Sequence, residues 1–161
     1  MGTEKQKQMG VLGLIVALVV VLMGSVLFVG AASGWFEDPK VTLDAEFYGE
    51  GEMVDLAGAD YEGLVGAGKS FVVFVDQEGC TTADRLEEFV KDLAKEKGIR
   101  VQKMVFADVK ETSLHDYVKY YPSVVVVSKG KPVAWLRADA DEDADAYNET
   151  EAFRGWISKY L

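Results

Sequence analysis

The sequence predicts an α/β domain, with a central mixed sheet flanked by helices, that follows a single transmembrane helix. No charged residue occurs between Gln8 and Glu37, which leaves room for a membrane span. Beyond residue 52, valine-rich runs alternate with amphipathic stretches in the order β-α-β-α-β-α-β-β-α. Helices that connect successive strands imply parallel pairing, and the closing hairpin adds an antiparallel edge.

The membrane helix is predicted from an apolar run over residues 11–32. A bilayer core about 30 Å thick needs about 20 helical residues, and this run supplies them. Lys5 and Lys7 precede the run, whereas the lysine that follows it stands beside two acidic residues. This bias predicts that residues 1–10 form a cytoplasmic tail, that residues 11–32 contact lipid, and that the rest of the chain is extracytoplasmic.

A cleavable signal peptide is the alternative for the same segment. Small residues up to Ser33 resemble a cleavage site, and cleavage there gives a secreted protein. The hydrophobic part of a signal peptide has only about 7 to 15 residues, however, and the run over 11–32 is longer. We therefore expect a retained, single-pass anchor.

Residues 33–51 are predicted to be a linker, and residues 52–161 a globular domain. The linker contains glycine, serine, proline and acidic residues, with an alternation from Val41 to Phe47 that is compatible with an extra strand. The whole chain has 27 acidic and 17 basic residues and a net charge of -10. A chain this acidic has no electrostatic footprint for nucleic acid, and nothing in it specifies an oligomeric state.

The strands of the domain are predicted from apolar runs between turn residues. The run over 70–75 is typical of a strand buried on both faces, as in the middle of a parallel sheet. Further strands are predicted at 53–56, 99–106, 123–128 and 132–137, the last two joined by a turn at Lys129-Gly130-Lys131.

The helices are predicted from apolar side chains at helical spacing. The strongest stripe runs from Leu86 to Ala94, and Gly98 is placed to end that helix. A shorter helix is predicted around 61–65 and another from Ser113 to Tyr121. The last helix is predicted to begin at Asn148.

Cys80, the only cysteine, follows the predicted central strand and begins the strongest helix. The free amides and the dipole of a helix N-terminus stabilise a thiolate, which is the nucleophile in disulfide chemistry. Four nearby acidic residues act in the opposite direction, namely Asp76, Glu78, Asp84 and Glu87. The sequence alone leaves the balance of these two effects open.

With this order of elements, residues 52–161 resemble the thioredoxin superfamily. Cys80 stands where the family has the first cysteine of its C-x-x-C motif. Pro122 stands before a valine-rich strand, where the family has a cis-proline that faces the active site. The resemblance implies a thioredoxin-like fold and a groove that is shaped, around Cys80, by Gly79, Thr81, Thr82, Ala83, Tyr121, Pro122 and Ser123.

The chain departs from the family pattern at three positions. Ala83 replaces the second cysteine, so a dithiol cycle within one chain is impossible. Phe74 stands six positions before Cys80, where many thioredoxins keep a buried acidic residue. Gly79 replaces the tryptophan that often precedes the cysteine. These departures matter because the family also includes monothiol adaptors and redox-inactive binding domains.

The resemblance therefore implies two alternative functions, neither of which needs a cofactor. The first is thiol-disulfide exchange with protein thiols or disulfides through Cys80, with the amides of Thr81 and Thr82 supporting the thiolate. The second is a redox-inert module that binds a protein partner in the groove near Cys80 and Pro122. The residue that the native gene encodes at position 83 separates them, since cysteine favours the enzyme and alanine favours the binding module.

Three other sequence features were considered as ligand or metal sites, and none of them predicts such a site. Residues 63–70 match the phosphate-loop pattern G-x-x-x-x-G-K-S, but they follow a predicted helix and open a strand, which reverses the required context. The alternating aspartates over 139–145 lack the glycine and glutamate of a calcium-binding EF-hand loop. With one histidine, His115, and one cysteine, the chain has no structural zinc site, and we expect no metal.

Overall fold

The computed structural model describes residues 40–161, which form one compact unit. The predicted cytoplasmic tail, the membrane helix over 11–32, the cleavage position near Ser33 and the first part of the predicted linker lie outside these residues. From Lys40 to Leu161, no helix combines the length and the apolar character that a membrane span requires.

Five strands form a single mixed sheet, as the sequence predicts. They are β1 (Glu52–Asp55), β2 (Phe71–Asp76), β3 (Arg100–Val105), β4 (Ser123–Ser128) and β5 (Lys131–Trp135). Their order across the sheet is β1-β3-β2-β4-β5. Strand β3 runs parallel to both β1 and β2, whereas β4 is antiparallel to β2 and β5. The predicted mixture of parallel crossovers and a terminal hairpin is confirmed.

The two valine-rich strands form the centre of the sheet. Every residue of β2 is buried, and so are the first five residues of β4. Strands that are covered on both faces have continuous apolar runs, which is why these two show no polar alternation. The turn from β4 to β5 places Lys129 and Gly130 at positive φ, +51° and +75°, as a two-residue hairpin turn requires.

Helices flank the sheet. They are α1 (Gly58–Gly66), α2 (Thr81–Lys97), α3 (Phe106–Val109) and α4 (Thr150–Ile157), with short 3-10 helices at Ala45–Phe47, Ser113–Asp116 and Asp141–Tyr147. The stripe predicted for α2 is buried at Leu86, Val90, Leu93 and Ala94. Gly98 ends α2 in the left-handed conformation with φ +59°.

The predicted helix from Ser113 to Tyr121 is wrong. The chain instead forms α3 directly after β3 and then one turn of 3-10 helix at Ser113–Asp116. Leu114 and Val118 are buried, but Tyr117 between them is 42% exposed. The apolar spacing arises from a loop that inserts single side chains into the core, and a loop of this kind can imitate helical periodicity.

The part of the predicted linker that the structure describes, residues 40–51, packs on the domain. Leu43 and Phe47 are buried in the core, and the ring of Phe47 stacks on that of Phe71 with 5.4 Å between centroids. The alternation in this segment corresponds to an extended stretch and the 3-10 helix Ala45–Phe47, not to an extra strand. These apolar residues therefore belong to the globular core.

Candidate functional site

Cys80 lies at the N-cap position of α2, where the turn after β2 ends. Its amide donates a hydrogen bond to the carbonyl oxygen of Gln77 at 3.2 Å, and its carbonyl accepts one from the amide of Asp84 at 3.1 Å. The thiol is free and half-buried. Among the described residues, no side chain caps α2, so the amides of its first turn are available to a group at the Cys80 sulfur.

The residues next to Cys80 shape this turn. Gly79 has φ +74°, a left-handed conformation that glycine adopts without steric cost. Thr81 is exposed and Thr82 is half-buried, whereas Ala83 is fully buried. The residue at the position of the family's second cysteine therefore faces the protein interior, three positions beyond a thiol that meets solvent.

The proline loop leaves the sheet beside the cysteine turn. The peptide bond between Tyr121 and Pro122 is cis, as the resemblance to the family implies for a proline at this position. Ser123 begins β4 and is the partner of Val75 in the antiparallel pair with β2. Because β2 ends one residue later, the proline loop and the turn that carries Cys80 emerge at the same end of two neighbouring strands.

Hydrogen bonds from other elements fix the proline loop. The hydroxyl of Tyr147 donates to the carbonyl oxygen of Pro122 at 2.9 Å, and the hydroxyl of Ser123 donates to the carbonyl oxygen of Leu136 at 2.8 Å. The Tyr121 hydroxyl donates to the Val118 carbonyl at 2.9 Å. Burial raises the pKa of Tyr121, so its hydroxyl stays a donor at neutral pH.

An apolar pocket of about 190 Å³ adjoins the same loop. Its lining comprises Tyr117, Val118, Lys119, Tyr120, Trp135, Leu136, Arg137 and Asp139. The rings of Tyr117 and Trp135 meet edge to face with 5.7 Å between centroids. Leu136, in the lining of this pocket, is hydrogen bonded to the start of β4: its amide donates to the carbonyl oxygen of Val124 at 3.0 Å.

No protein-family model matches the sequence, and neither does any curated protein compared with it. Solved structures do match. The reduced thioredoxin pre-protein of Schistosoma mansoni superposes with a TM-score of 0.52 at 17% identity, over 68% of this chain and 99% of that one. Schistosoma mansoni thioredoxin gives 0.52 at 16% identity, over 70% and 99%. A variant of Halobacterium salinarum thioredoxin gives 0.50 at 20% identity, over 70% and 93%.

This chain has the thioredoxin fold. At these identities the likeness establishes the fold alone, and the geometry of this chain's own residues must support any function. In this thioredoxin fold, the turn with the single cysteine and the loop with the cis-proline lie at the same end of the central strands β2 and β4. The groove that the resemblance implies around Cys80 and Pro122 stays a prediction.

A cluster of ion pairs in this thioredoxin fold joins the end of β2 to α2 and β3. The ammonium of Lys103, on β3, is 3.0 Å from a carboxylate oxygen of Asp76 and 2.8 Å from one of Glu87. Lys91 pairs with the other carboxylate oxygen of Glu87 at 2.5 Å. Phe74, at the position of the family's buried acid, is fully buried, and its ring centroid is 5.9 Å from the Lys103 ammonium.

Hydrogen bonds in this cluster favour the ionised forms of Lys103 and Glu87. Partial burial alone would lower the pKa of Lys103, but hydrogen bonds to Glu87 and Asp76 outweigh it and raise that pKa. Partial burial would likewise raise the pKa of Glu87, but hydrogen bonds from Lys103 and Lys91 lower it overall. Sequence reasoning found the acids near Cys80 but missed Lys103, whose only signal was a lysine within a largely buried strand.

The other sequence patterns occupy structural roles. The phosphate-loop pattern spans the end of α1 and the turn before β2, and Lys69 within it pairs with Asp44 and Glu46 at 3.6 and 3.0 Å. Three of the four aspartates over 139–145 lie in the 3-10 helix Asp141–Tyr147. Within that helix, the side chain of Asp143 accepts a hydrogen bond from the Arg137 amide. Between residues 40 and 161, no group of three or more His, Cys, Asp or Glu side chains is arranged to hold a metal.

Proposed function

We propose that this thioredoxin-like domain forms mixed disulfides with protein partners through Cys80, and that residues 11–32 hold it at the outer face of a membrane. The observation that carries the proposal is a free, half-buried thiol at the uncapped N-terminus of a 17-residue helix, at the sheet edge where the proline loop emerges. The helix N-terminus favours the thiolate, and half-burial leaves room for a partner's sulfur to approach.

The exchange step conserves sulfur and electrons. The thiolate of Cys80 attacks one sulfur of a partner disulfide, the partner's S–S bond breaks, and the second partner sulfur leaves as a thiolate. The partner disulfide is thereby reduced to one free thiol and one mixed disulfide. Ala83 has no sulfur with which to attack the mixed disulfide. The mixed disulfide therefore persists until another thiol attacks it, which is either the partner's own released thiol or an external one.

A redox-inert binding module is the second candidate, and the pocket beside the proline loop favours it. That pocket is lined by three aromatic side chains, and one of them, Tyr120, is 55% exposed. Aromatic side chains in a partly open pocket are typical anchors for a protein partner, and their contribution to binding needs no reactive sulfur. In this case the partner occupies the groove near Cys80 and Pro122 without forming a covalent bond.

A disulfide-trapping experiment separates the two candidates. The full chain in detergent is mixed with a model peptide disulfide over a series of pH values, and the mixed disulfide is quantified by mass spectrometry. We expect the wild type to react faster at neutral pH than free cysteine does, and Cys80→Ser to form no adduct. A wild-type rate equal to that of free cysteine at every pH would contradict thiol-disulfide exchange as the function. The redox-inert binding module would then be the remaining candidate.

The anchor and the orientation have their own test, since Cys80 is the only cysteine. A membrane-impermeant thiol reagent added to intact cells should label the wild type and should not label Cys80→Ser. Mass spectrometry of the mature protein should find residues 1–32 still attached. A mature N-terminus near Ser33 would show that the segment is a signal peptide, and failure of the reagent to label Cys80 before lysis would contradict the extracytoplasmic orientation.

A further inference from the structure

Exposed aromatic side chains surround the pocket beside the proline loop. Tyr117 and Tyr120, in its lining, are 42% and 55% exposed. Only three other large apolar or aromatic side chains between residues 40 and 161 are similarly exposed. Trp135 and Arg137 also line the pocket. Because tyrosine, tryptophan and arginine are the residue types that most often anchor protein partners, this composition indicates a protein-binding surface.

The pocket has room for one large apolar side chain. Its volume is about 190 Å³, and an apolar protein cavity of about 150 Å³ can hold benzene. Val118 and Leu136 are the buried residues of its lining, and the edge-to-face pair of Tyr117 and Trp135 lies beside them. A leucine or phenylalanine side chain that enters the pocket therefore removes apolar surface on both partners from water.

An acidic segment borders the pocket. Asp139 lies in the lining, and Arg137, also in the lining, pairs with Glu142 and Asp143 on the 3-10 helix that follows. The ammonium of Lys119, the other cation of the lining, donates a hydrogen bond to a backbone carbonyl of its own loop. Both cations of the lining are therefore engaged by groups of the same chain.

Three carboxylates of this acidic segment have no cation of their own among residues 40–161. Asp139, Asp141 and Asp145 are exposed, and none of them takes part in an ion pair within that range. The net charge of the whole chain, -10, has the same sign. A basic segment is therefore attracted both by the protein as a whole and by the acids beside the pocket.

We propose that this pocket binds a basic segment of a protein partner. One large apolar side chain of that segment fills the pocket, and lysine or arginine on either side of it faces Asp139, Asp141 and Asp145. The inference deepens the proposed function and rests on it in taking a protein as the partner. Because the pocket adjoins the proline loop, the bound segment lies near the end of the sheet that carries Cys80.

The test measures the binding of short peptides to the full chain in a nonionic detergent, by titration calorimetry. Every protein carries Cys80→Ser, so that no disulfide contributes. The probe is acetyl-Lys-Lys-Leu-Phe-Lys-Lys-amide. Two matched peptides replace either Leu-Phe by Ser-Ser or all the lysines by glutamate. We expect each of them to bind at least about tenfold more weakly than the probe, since one lacks the apolar side chains and the other has the wrong charge.

Variants of the acids separate the pocket from the net charge. The triple variant Asp139→Asn, Asp141→Asn and Asp145→Asn should bind the probe about tenfold more weakly, because three exposed charge pairs are lost. The control has the same net charge and changes three exposed aspartates on other elements, namely Asp55→Asn, Asp60→Asn and Asp92→Asn. In about 0.1 M salt it should bind almost as the parent does, because distant charges are largely screened.

A second pair of variants tests the aromatic lining. Tyr120→Ala should weaken binding of the probe at least about fivefold, as truncation of an anchoring side chain does. Tyr48→Ala is the control, because Tyr48 is 48% exposed and does not line this pocket. It should leave the affinity unchanged.

Several outcomes overturn the inference. Equal losses in the two triple variants would mean that only the net charge attracts the probe. Binding of the Ser-Ser peptide as tight as that of the probe, or an unchanged affinity in Tyr120→Ala, would mean that the pocket is not used. Dimers of the free protein that Tyr120→Ala abolishes would show that a second copy covers the pocket. Failure of the probe to bind would also refute the inference. A thiol that reacts like free cysteine would refute disulfide exchange through Cys80 and would leave these binding results unaffected.

Discussion

The hydroxyl of Tyr147 donates a hydrogen bond to the carbonyl oxygen of Pro122 at 2.9 Å, in a buried position. Tyr147 ends the 3-10 helix Asp141–Tyr147, which contains most of the acidic stretch, so a segment that follows β5 fixes the proline loop. Burial raises the pKa of Tyr147, and the nearby Asp143 and Asp139 raise it further. The hydroxyl therefore remains a neutral donor, and the loop opposite the cysteine turn keeps its partner at physiological pH.

The first prediction follows from this hydrogen bond. Tyr147→Phe leaves the Pro122 carbonyl buried without its donor, which costs about 1 to 3 kcal/mol of unfolding free energy. Tyr48→Phe is the control, because Tyr48 is 48% exposed. Urea denaturation of both variants checks the prediction. Equal stability of Tyr147→Phe and the wild type would show that the hydrogen bond contributes nothing to the loop.

The second prediction concerns the missing sulfur. Ala83→Cys should allow a reversible disulfide with Cys80, since the two positions lie three apart at the start of α2. The variant should release a trapped partner unaided and reduce a peptide disulfide in repeated turnovers when a small thiol is supplied. Ala83→Ser has nearly the same volume as Ala83→Cys but no sulfur, and it should trap the partner as the wild type does. Two thiols at positions 80 and 83 that never oxidise to each other would contradict this geometry.

The third prediction concerns the turn itself. Gly79 has φ +74°, and a Cβ built there meets no atom within 4 Å. Any effect of Gly79→Ala therefore comes from the backbone conformation, at a cost of about 1 to 2 kcal/mol. Gly79→Asn should cost less, because asparagine tolerates this region better. The control is Gly155→Ala in α4, where the added methyl is also free of contacts.

Thermal unfolding of these variants decides the third prediction. We expect Gly79→Ala to lower the melting temperature and also to slow the reaction of Cys80, since the neighbouring residue must change its backbone angles. Gly155→Ala should raise the stability by about 0.5 to 1 kcal/mol, as alanine does in a helix interior. A Gly79→Ala protein with wild-type stability and wild-type thiol reactivity would show that the left-handed turn is not required.

The sheet was predictable from the sequence because its central strands are buried on both faces. The first five residues of β2 are apolar and buried, and few structures other than a central strand require a short continuous apolar run of this kind. The helix α2 was predictable for a similar reason, since its stripe and Gly98 agree on the same boundaries. These signals are local, so a single sequence contains them.

The features that sequence reasoning missed depend on contacts between distant residues. The loop around Val118 imitates a helix because single apolar side chains enter the core at helical spacing. Residues 40–51 resemble a linker in composition, yet Phe47 finds Phe71 across the fold. Lys103 forms ion pairs with two acids that are 16 and 27 positions earlier in the chain. No local pattern marks any of these pairings.

The last prediction concerns acid. The folded-state pKa of Glu87 lies below its ordinary value of 4.5: partial burial would raise it, but the hydrogen bonds from Lys103 and Lys91 outweigh that effect. A carboxyl whose pKa is lowered by folding contributes stability that is fully present above its unfolded pKa and is lost as the pH falls through the folded one.

Glu87→Gln should therefore be less stable than the wild type at pH 7, by about 1 to 2 kcal/mol. That difference should shrink progressively below about pH 4.5. Glu88→Gln, a change at the exposed neighbouring residue, should show neither effect. Urea denaturation from pH 7 to pH 3 measures both curves. A stability difference for Glu87→Gln that stays constant over this range would mean that the Lys103 and Lys91 contacts do not hold the carboxylate ionised.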